Sequence, residues 1–259
     1  MRGWLPNCAM SAEPDLFLGG RLRLRQPARG AHRAGTDAVL LARWLAPKTG
    51  ETIYDLGAAT GAVGLAVARI ADDCRVVLVE REAALAALAR ENARENDLDD
   101  RVRVVEADLL APGTQRRAAG LLPAAADAVL TNPPFFEAGG HRPSPVPEKA
   151  SAHTFADGGL DGWLRTCADL LRPGGRLGLI HRADALPACL EALHGRFGDC
   201  VVRPVHARAD RPAIRVLIAA VKGSRARLRL LPPLVLQDEA GLFTPEAGAL
   251  HRGEPWPPS

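Results

Sequence analysis

The chain has no CxxC pair, no strong excess of either charge and no apolar run long enough to cross a membrane. Each lack removes a class of protein. The five cysteines, Cys8, Cys74, Cys167, Cys189 and Cys200, are odd in number and scattered. They offer neither a disulfide framework nor a zinc ribbon, and they fit a reducing compartment. A net charge of +3 over 259 residues does not by itself announce a nucleic-acid partner. The opening "MRGWLPNCAMSAEPD" lacks the apolar core of a signal peptide. A soluble cytoplasmic protein is the expectation, with residues 1–15 a flexible tail and Met10 an alternative start. No internal repeat or long polar linker divides the chain, whose length suits one large domain with extensions. Arginine far outnumbers lysine and alanine is abundant throughout, so arginine content carries little functional weight.

What is present is an alternation of strand and helix patterns. "DLFLGGRLRLRQP" reads as a hairpin turning at Gly19-Gly20, and "GTDAVLLARWL" as a helix with Thr36 or Asp37 as N-cap. "TIYDLG", "RVVLVE", "VRVVEAD", "DAVLTN" and "RLGLIH" read as strands. Helices are predicted from Ala62 to about Arg69, over 81–97, over "GLDGWLRTCADLL" and over 183–193. "AIRVLIAAV" is a last buried strand paired with "CVVRPVH". This order predicts an α/β, Rossmann-like fold: a mostly parallel seven-stranded sheet, helices on both faces and an antiparallel last strand. The predicted organisation is a hairpin and helix over 16–50, a core over 51–222 and a C-terminal extension over 223–259.

Ligands of such sheets sit beyond the carboxyl ends of the strands, and polar residues gather there. "DLGAATGAVG" follows the first core strand, with Gly57, Gly61 and Gly64 suited to a tight turn opening a helix. Glu80 ends the next strand, where an acid can hold ribose hydroxyls, and Asp108 follows the third, suited to an adenine amino group. Asp55, two residues before Gly57, is no part of a dinucleotide fingerprint; the spacing resembles the D-x-G-x-G-x-G pattern of nucleotide methyltransferases, and that resemblance implies S-adenosylmethionine in place of a nicotinamide cofactor. The bland account of each acid is a solvated carboxylate capping a turn. Three acids after three consecutive strands make coincidence a poor account of the set.

"TNPPFF" follows the fourth core strand. A strand stop explains the prolines, because Pro133 removes a ladder donor and biases Asn132 toward extended geometry. It does not explain the amide or the aromatic pair. An amine clamp explains all of them: the Asn132 side-chain oxygen and the Pro133 carbonyl accept two amine hydrogens while Phe135 stacks on the ring.

"DLGAATG" together with "TNPPFF" resembles the class I methyltransferases that modify exocyclic amines of adenine, guanine or glutamine, whose motif is N/D-P-P-F/Y/W. "HRAGTDAVLLARWL" and "LVLQDEAGLFTPEAGALHRG" further resemble a bacterial group of tRNA (adenine-N6)-methyltransferases acting beside the anticodon of a valine tRNA. The resemblance implies S-adenosylmethionine as cofactor, no metal, no membrane partner, and RNA, in particular a tRNA anticodon loop, as substrate. It implies that Asp55, Gly57 and Gly61 shape the cofactor pocket, with Glu80 on the ribose and Asp108 on the adenine. Thr36 and Asp37 would lie near the methionine end, and Asn132, Pro133, Pro134 and Phe135 would hold the acceptor base, with Asn132 also counted among the cofactor-binding residues. One departure stands out: Ala59 replaces the usual middle glycine, at a cost of about 1 kcal/mol or more if φ there is positive.

Two basic stretches, Arg21, Arg23, Arg25, Arg29, Arg33 and Lys222, Arg225, Arg227, Arg229, read either as phosphate contacts or as solvated strand faces. The segment 137–147 reads as a lid or as disorder. No cysteine follows a proline, which disfavours a cytosine-C5 mechanism. The alternatives within the chemistry are a guanine amine of rRNA and a glutamine amide of a protein. Outside it stands an RNA-binding module that has lost its cofactor through Ala59. A nicotinamide oxidoreductase leaves "NPPFF" unexplained.

Overall fold

Short apolar runs bounded by Gly, Asp and Arg can hide both faces only in the middle of a sheet, and they do so here. The computed structural model describes residues 13–27, 33–134 and 159–256. β3 (Thr52–Leu56), β4 (Arg75–Glu80), β5 (Val102–Glu106), β6 (Ala126–Thr131) and β7 (Leu171–Arg182) are parallel, in the order β5-β4-β3-β6-β7. β9 (Ala213–Lys222) runs antiparallel between β7 and β8 (Phe197–Arg208), completing the expected seven strands. Two short strands were not foreseen: β10 (Arg229–Leu230) and β11 (Leu234–Gln237) both lie parallel to β8 and widen the sheet.

The helices cover both faces, each over its own apolar cluster. On one side, α1 (Thr36–Trp44), α2 (Ala62–Ile70) and α3 (Ala83–Glu95) bury Leu40, Leu41, Leu65, Val67 and Ala89 against β3, β4 and β6. On the other, α5 (Gly159–Leu170) and α6 (Leu186–Leu193) bury Trp163, Leu164, Cys167 and Leu193, and the six-residue α4 (Gly113–Ala118) fills the gap before β6. The C-terminal α7 (Pro245–His251) starts at Thr244, whose side chain accepts from the Ala247 N–H. Beyond α7, Trp256 stands edge-on to Trp44, ring centroids 5.5 Å apart, and the Arg203 guanidinium lies over Trp256 at 4.7 Å. That contact fastens the C-terminal segment to the end of α1. Among the described residues no helix is long and apolar enough to cross a membrane.

The N-terminal hairpin of β1 (Asp15–Phe17) and β2 (Leu22–Leu24) is antiparallel, as its alternation predicts. It is joined to the core by two side-chain amides, one in α3 and one at its C-cap. Asn96 accepts from Arg23 N at 2.9 Å and donates to Arg23 O at 2.6 Å. Asn92 does the same with Arg25, at 2.8 and 3.1 Å. The helix thus offers β2 the pattern of a neighbouring strand, satisfying a strand edge that would otherwise lie buried without partners. Asn92 also donates to Thr60 O at 2.9 Å, so one amide binds the hairpin to the glycine turn after β3.

The chain runs outward from β3 to β4 and β5, then returns to add β6 on the other side of β3. The reversal makes the carboxyl ends of β3 and β6 the topological switch point, where open α/β sheets bind their ligands.

Candidate active site

Register places the strand-end residues in one row. Leu56 is the partner of both Val79 and Thr131, so Gly57, Glu80 and Asn132 lie side by side, one step beyond. With strands about 4.8 Å apart, Asn132 and Glu80 are roughly 10 Å apart across Gly57.

The turn after β3 is held from below. Gly57 N and Ala58 N both donate to Val79 O, at 2.9 and 3.0 Å. Gly57 and Gly61 have φ of +76° and +88°, and a Cβ at Gly57 would stand 3.0 Å from Cζ2 of Trp163. Both positions therefore require glycine, Gly57 on conformational and steric grounds together. Gly64, in the first turn of α2, packs so tightly that a Cβ would come 2.2 Å from Leu78 Cδ2.

Ala59 adopts φ of +47°, so its methyl group sits in the left-handed region. The turn accepts the strain because the Ala59 N–H donates to Glu80 Oε2 at 2.8 Å, a charge-assisted bond that keeps the loop in place. Ala59→Gly should relieve the strain and raise stability by roughly 0.5–1 kcal/mol, after the extra freedom of glycine in the unfolded chain is subtracted. Urea unfolding checks this, and a net loss of stability would show that the left-handed methyl costs nothing here.

The three acids differ in setting. Glu80 is buried, its two oxygens accepting from Ala59 N and Glu82 N at 2.8 Å each, with lone pairs left over for hydroxyl donors. Asp108 is exposed; Oδ1 accepts from Leu110 N at 2.8 Å, and Oδ2 takes no bond among the described residues. Asp55 is different in kind. It lies inside β3, one row behind the edge and 2% exposed, with Oδ2 accepting from Gly64 N at 2.9 Å. Burial, assisted by the nearby Glu80 charge, pushes its carboxyl up to about 7 against the pull of the Gly64 bond. It braces the turn from behind.

Asn132 is half-buried, and its amide has no hydrogen-bond partner among the described residues. Pro133 is buried and Pro134 half-buried, while Phe135, residues 137–147 and Arg29 lie outside the described residues. A polar amide open at a switch point is available to a ligand.

The capping role expected of Thr36 or Asp37 is not found. Gly35 is the N-cap of α1, no side chain bonds the free N–H groups, and Asp37 accepts from Arg215 Nε in β9 at 2.8 Å. A side chain spent on a β9 arginine cannot turn back onto its own helix end. Thr36 lines an open cavity of about 520 Å³ between β1, α1 and α7, which none of Gly57, Glu80, Asp108 and Asn132 touches. The chemistry is placed by the strand ends and not by that cavity.

Two site residues escaped the sequence reading. Thr131 and Trp163 are buried and hydrogen-bonded to each other directly behind Asn132 and Gly57. Only a general signal pointed to them, since a buried threonine and a buried tryptophan each need a polar partner. Among the described residues the thiols offer no competing chemistry: Cys74, Cys167 and Cys189 are buried and Cys200 half-buried. Burial pushes all four up, Cys189 to about 11.

The chain is similar to known proteins. A tRNA1(Val) (adenine(37)-N6)-methyltransferase of Aeromonas hydrophila is 32% identical over 201 residues, 75% of this chain and 79% of the relative. A release factor glutamine methyltransferase of Moorella thermoacetica is 31% identical over 71% of this chain and 66% of its own length. Among solved structures, a protein of Agrobacterium tumefaciens described as a predicted O-methyltransferase superposes with a TM-score of 0.72. It is 32% identical, and the match covers 84% of this chain and 96% of that one. The model of the methyltransferase small domain matches residues 31–203, a span that includes the glycine turn, all three acids and the Asn132 row. By that match, the chain belongs to the methyltransferase small-domain family.

Proposed function

We propose that the protein transfers the methyl group of S-adenosylmethionine to the exocyclic amine of an adenine in tRNA, beside the anticodon. The observation that carries this reading is the open Asn132 amide, followed by Pro133, in one row with Gly57 and Glu80 at the switch point. The name of the Aeromonas relative, an enzyme of the same acceptor chemistry, supports the choice of adenine and tRNA.

The residues present fit the cofactor. The Gly57 and Gly61 turn gives close backbone approach, Glu80 has acceptor capacity for two ribose hydroxyls, and Asp108 Oδ2 can accept from an adenine amino group. Thr36 and Asp37, at the start of α1, are assigned to its methionine end. When bound, S-adenosylmethionine supplies an electrophilic methyl group with a thioether as built-in leaving group.

The protein's part is positioning and electrostatics. An adenine amine is a poor nucleophile because its lone pair is delocalised into the ring. The Asn132 oxygen and the Pro133 carbonyl accept one hydrogen each, which holds the nitrogen and favours pyramidal geometry as the new bond forms. Phe135 is assigned to stacking on the base. A proton leaves the nitrogen after transfer, and a solvent-open clamp lets it pass to water. The base must leave its stack to reach the clamp, which is easiest in a single-stranded loop. Of the basic stretches, Arg25 is paired with Glu95 at 2.6 Å and Arg229 with Asp199 at 3.2 Å. Arg23, Arg225 and Arg227 are exposed and form no ion pair among the described residues, and they are the candidates for phosphate.

Incubation with labelled S-adenosylmethionine and, in separate reactions, total RNA and total protein from cells lacking the gene tests the proposal. Label should appear as N6-methyladenine in a tRNA. Label in an rRNA guanine or a protein glutamine would move the substrate, and a protein that binds no cofactor in calorimetry would be a binding module.

A further inference from the structure

We propose that Thr131 and Trp163 form a bracket that fixes the spacing between the cofactor turn and the acceptor clamp, which makes them positioning residues for the methyl transfer. The inference rests on the methyltransferase reading of the site and goes a step further, to how its two halves are held.

Thr131 is the last residue of β6 and fully buried, so its hydroxyl is costly unless bonded. It is bonded twice. The hydroxyl donates to Leu56 O at 2.8 Å and accepts from Trp163 Nε1 at 2.9 Å. Leu56 precedes Gly57, and Thr131 precedes Asn132. The chain of two bonds therefore ties the residue before the cofactor turn to the residue before the clamp. Trp163 comes from a third element, α5, and its ring completes the bracket: a Cβ on Gly57 would stand 3.0 Å from Cζ2 and 3.1 Å from Cη2. The indole thus touches the turn with its carbon edge and holds the clamp's anchor with its N–H.

The ladder between β3 and β6 ends at Leu56 and Thr131. Beyond that pair no ladder bond between the two segments sets their separation. A small drift there changes the line from methyl donor to amine, and about 1 Å of misplacement costs on the order of 100-fold in rate. An ordinary core would place valine at 131 and phenylalanine at 163 at little cost. The hydroxyl and the indole nitrogen are what a bracket adds to plain packing.

The test compares Thr131→Val, Thr131→Ser and Trp163→Phe with the unaltered protein in single-turnover methylation of tRNA. Thr131→Val and Trp163→Phe should each slow the transfer step about 10-fold, with cofactor affinity within about 2-fold. Thr131→Ser keeps the hydroxyl and should stay within about 2-fold in both. The double variant should be no slower than the slower single one, because both changes break one bracket. Full-speed transfer by Thr131→Val, or a loss equally present in Thr131→Ser, would overturn the inference. Should the unaltered protein methylate no RNA, the functional reading fails by itself, and the bracket is then judged with S-adenosylmethionine alone. In nitrogen-15 spectra the Trp163 indole N–H should exchange slowly and shift on cofactor addition, and both properties should vanish in Thr131→Val. An indole signal identical in the two proteins would overturn it.

Discussion

Asn132→Ala should lower the rate of methyl transfer by about 100-fold or more, the scale of losing one oriented polar group in a preorganised site. S-adenosylmethionine affinity should change by no more than about 3-fold, since the amide acts mainly on the nitrogen being methylated. The effect belongs to kcat because a neutral amine is held only weakly in the ground state. Its hydrogens become better donors as positive charge grows on the nitrogen, so the acceptor oxygen matters most at the transition state. Asn132→Asp is the informative companion. It keeps an oxygen acceptor at the same point and matches the variation the motif allows, so it should retain much more activity than alanine. Stability should hardly move in either variant, because the amide has no partner among the described residues to lose. Near-normal single-turnover rates for Asn132→Ala would remove the clamp from the mechanism and return "TNPPFF" to a strand stop.

The succession of strands along the chain, both helical layers and the row of strand ends were legible because each depends on local pattern. Period-2 and continuous apolar runs mark strands, and residues that follow strands are placed by the topology of a parallel sheet. What stayed hidden depends on partners far apart in sequence. Asn92 and Asn96 sit within and at the C-cap of an Ala-rich helix, and neither was given a role from the sequence. Their spacing of four puts them on the face that buries Ala89 and Ala93, and that was the available hint that each amide has an internal partner. Thr36 and Asp37 look like caps in isolation, and only the fold brings Arg215 to Asp37. β10, two residues long, is too short to show any period. The conformation of Ala59 was equally closed to sequence reasoning, since an alanine carries no mark of its φ. Its left-handed backbone follows from the close packing of the Gly57–Gly61 turn under the Glu80 carboxylate.

Asp55 leads to the second large effect, a pH dependence of stability. Its carboxyl titrates near 7 in the folded protein and near 3.8 as a free side chain. Between those values the folded state holds a proton that the unfolded state has lost. Stability therefore falls as pH rises through that window, its Asp55 contribution being fully present below the lower value and gone above the upper one. The span corresponds to an effect on the order of 4 kcal/mol. His181 and His251, both lowered by burial, act in the opposite direction, losing stability as pH falls below the normal histidine range. The whole-protein curve thus mixes signs, and the difference between the unaltered protein and Asp55→Asn isolates one group. Asparagine keeps an oxygen for the Gly64 N–H and has no proton to lose, so its stability should decline less between pH 4 and 7. Its absolute stability is a poor readout, because the second amide hydrogen needs a buried partner that a protonated acid does not. The slope is the readout, taken from urea midpoints across the window. Identical slopes would mean that Asp55 is ionised throughout, with its charge balanced by the donors of the turn. A flatter slope would mean that the turn beneath the cofactor is braced by a neutral acid near neutral pH. In that case the charge held at the turn, among the described residues, is that of Glu80, whose two oxygens accept from Ala59 N and Glu82 N and whose remaining lone pairs are the ones the proposed function gives to hydroxyl donors.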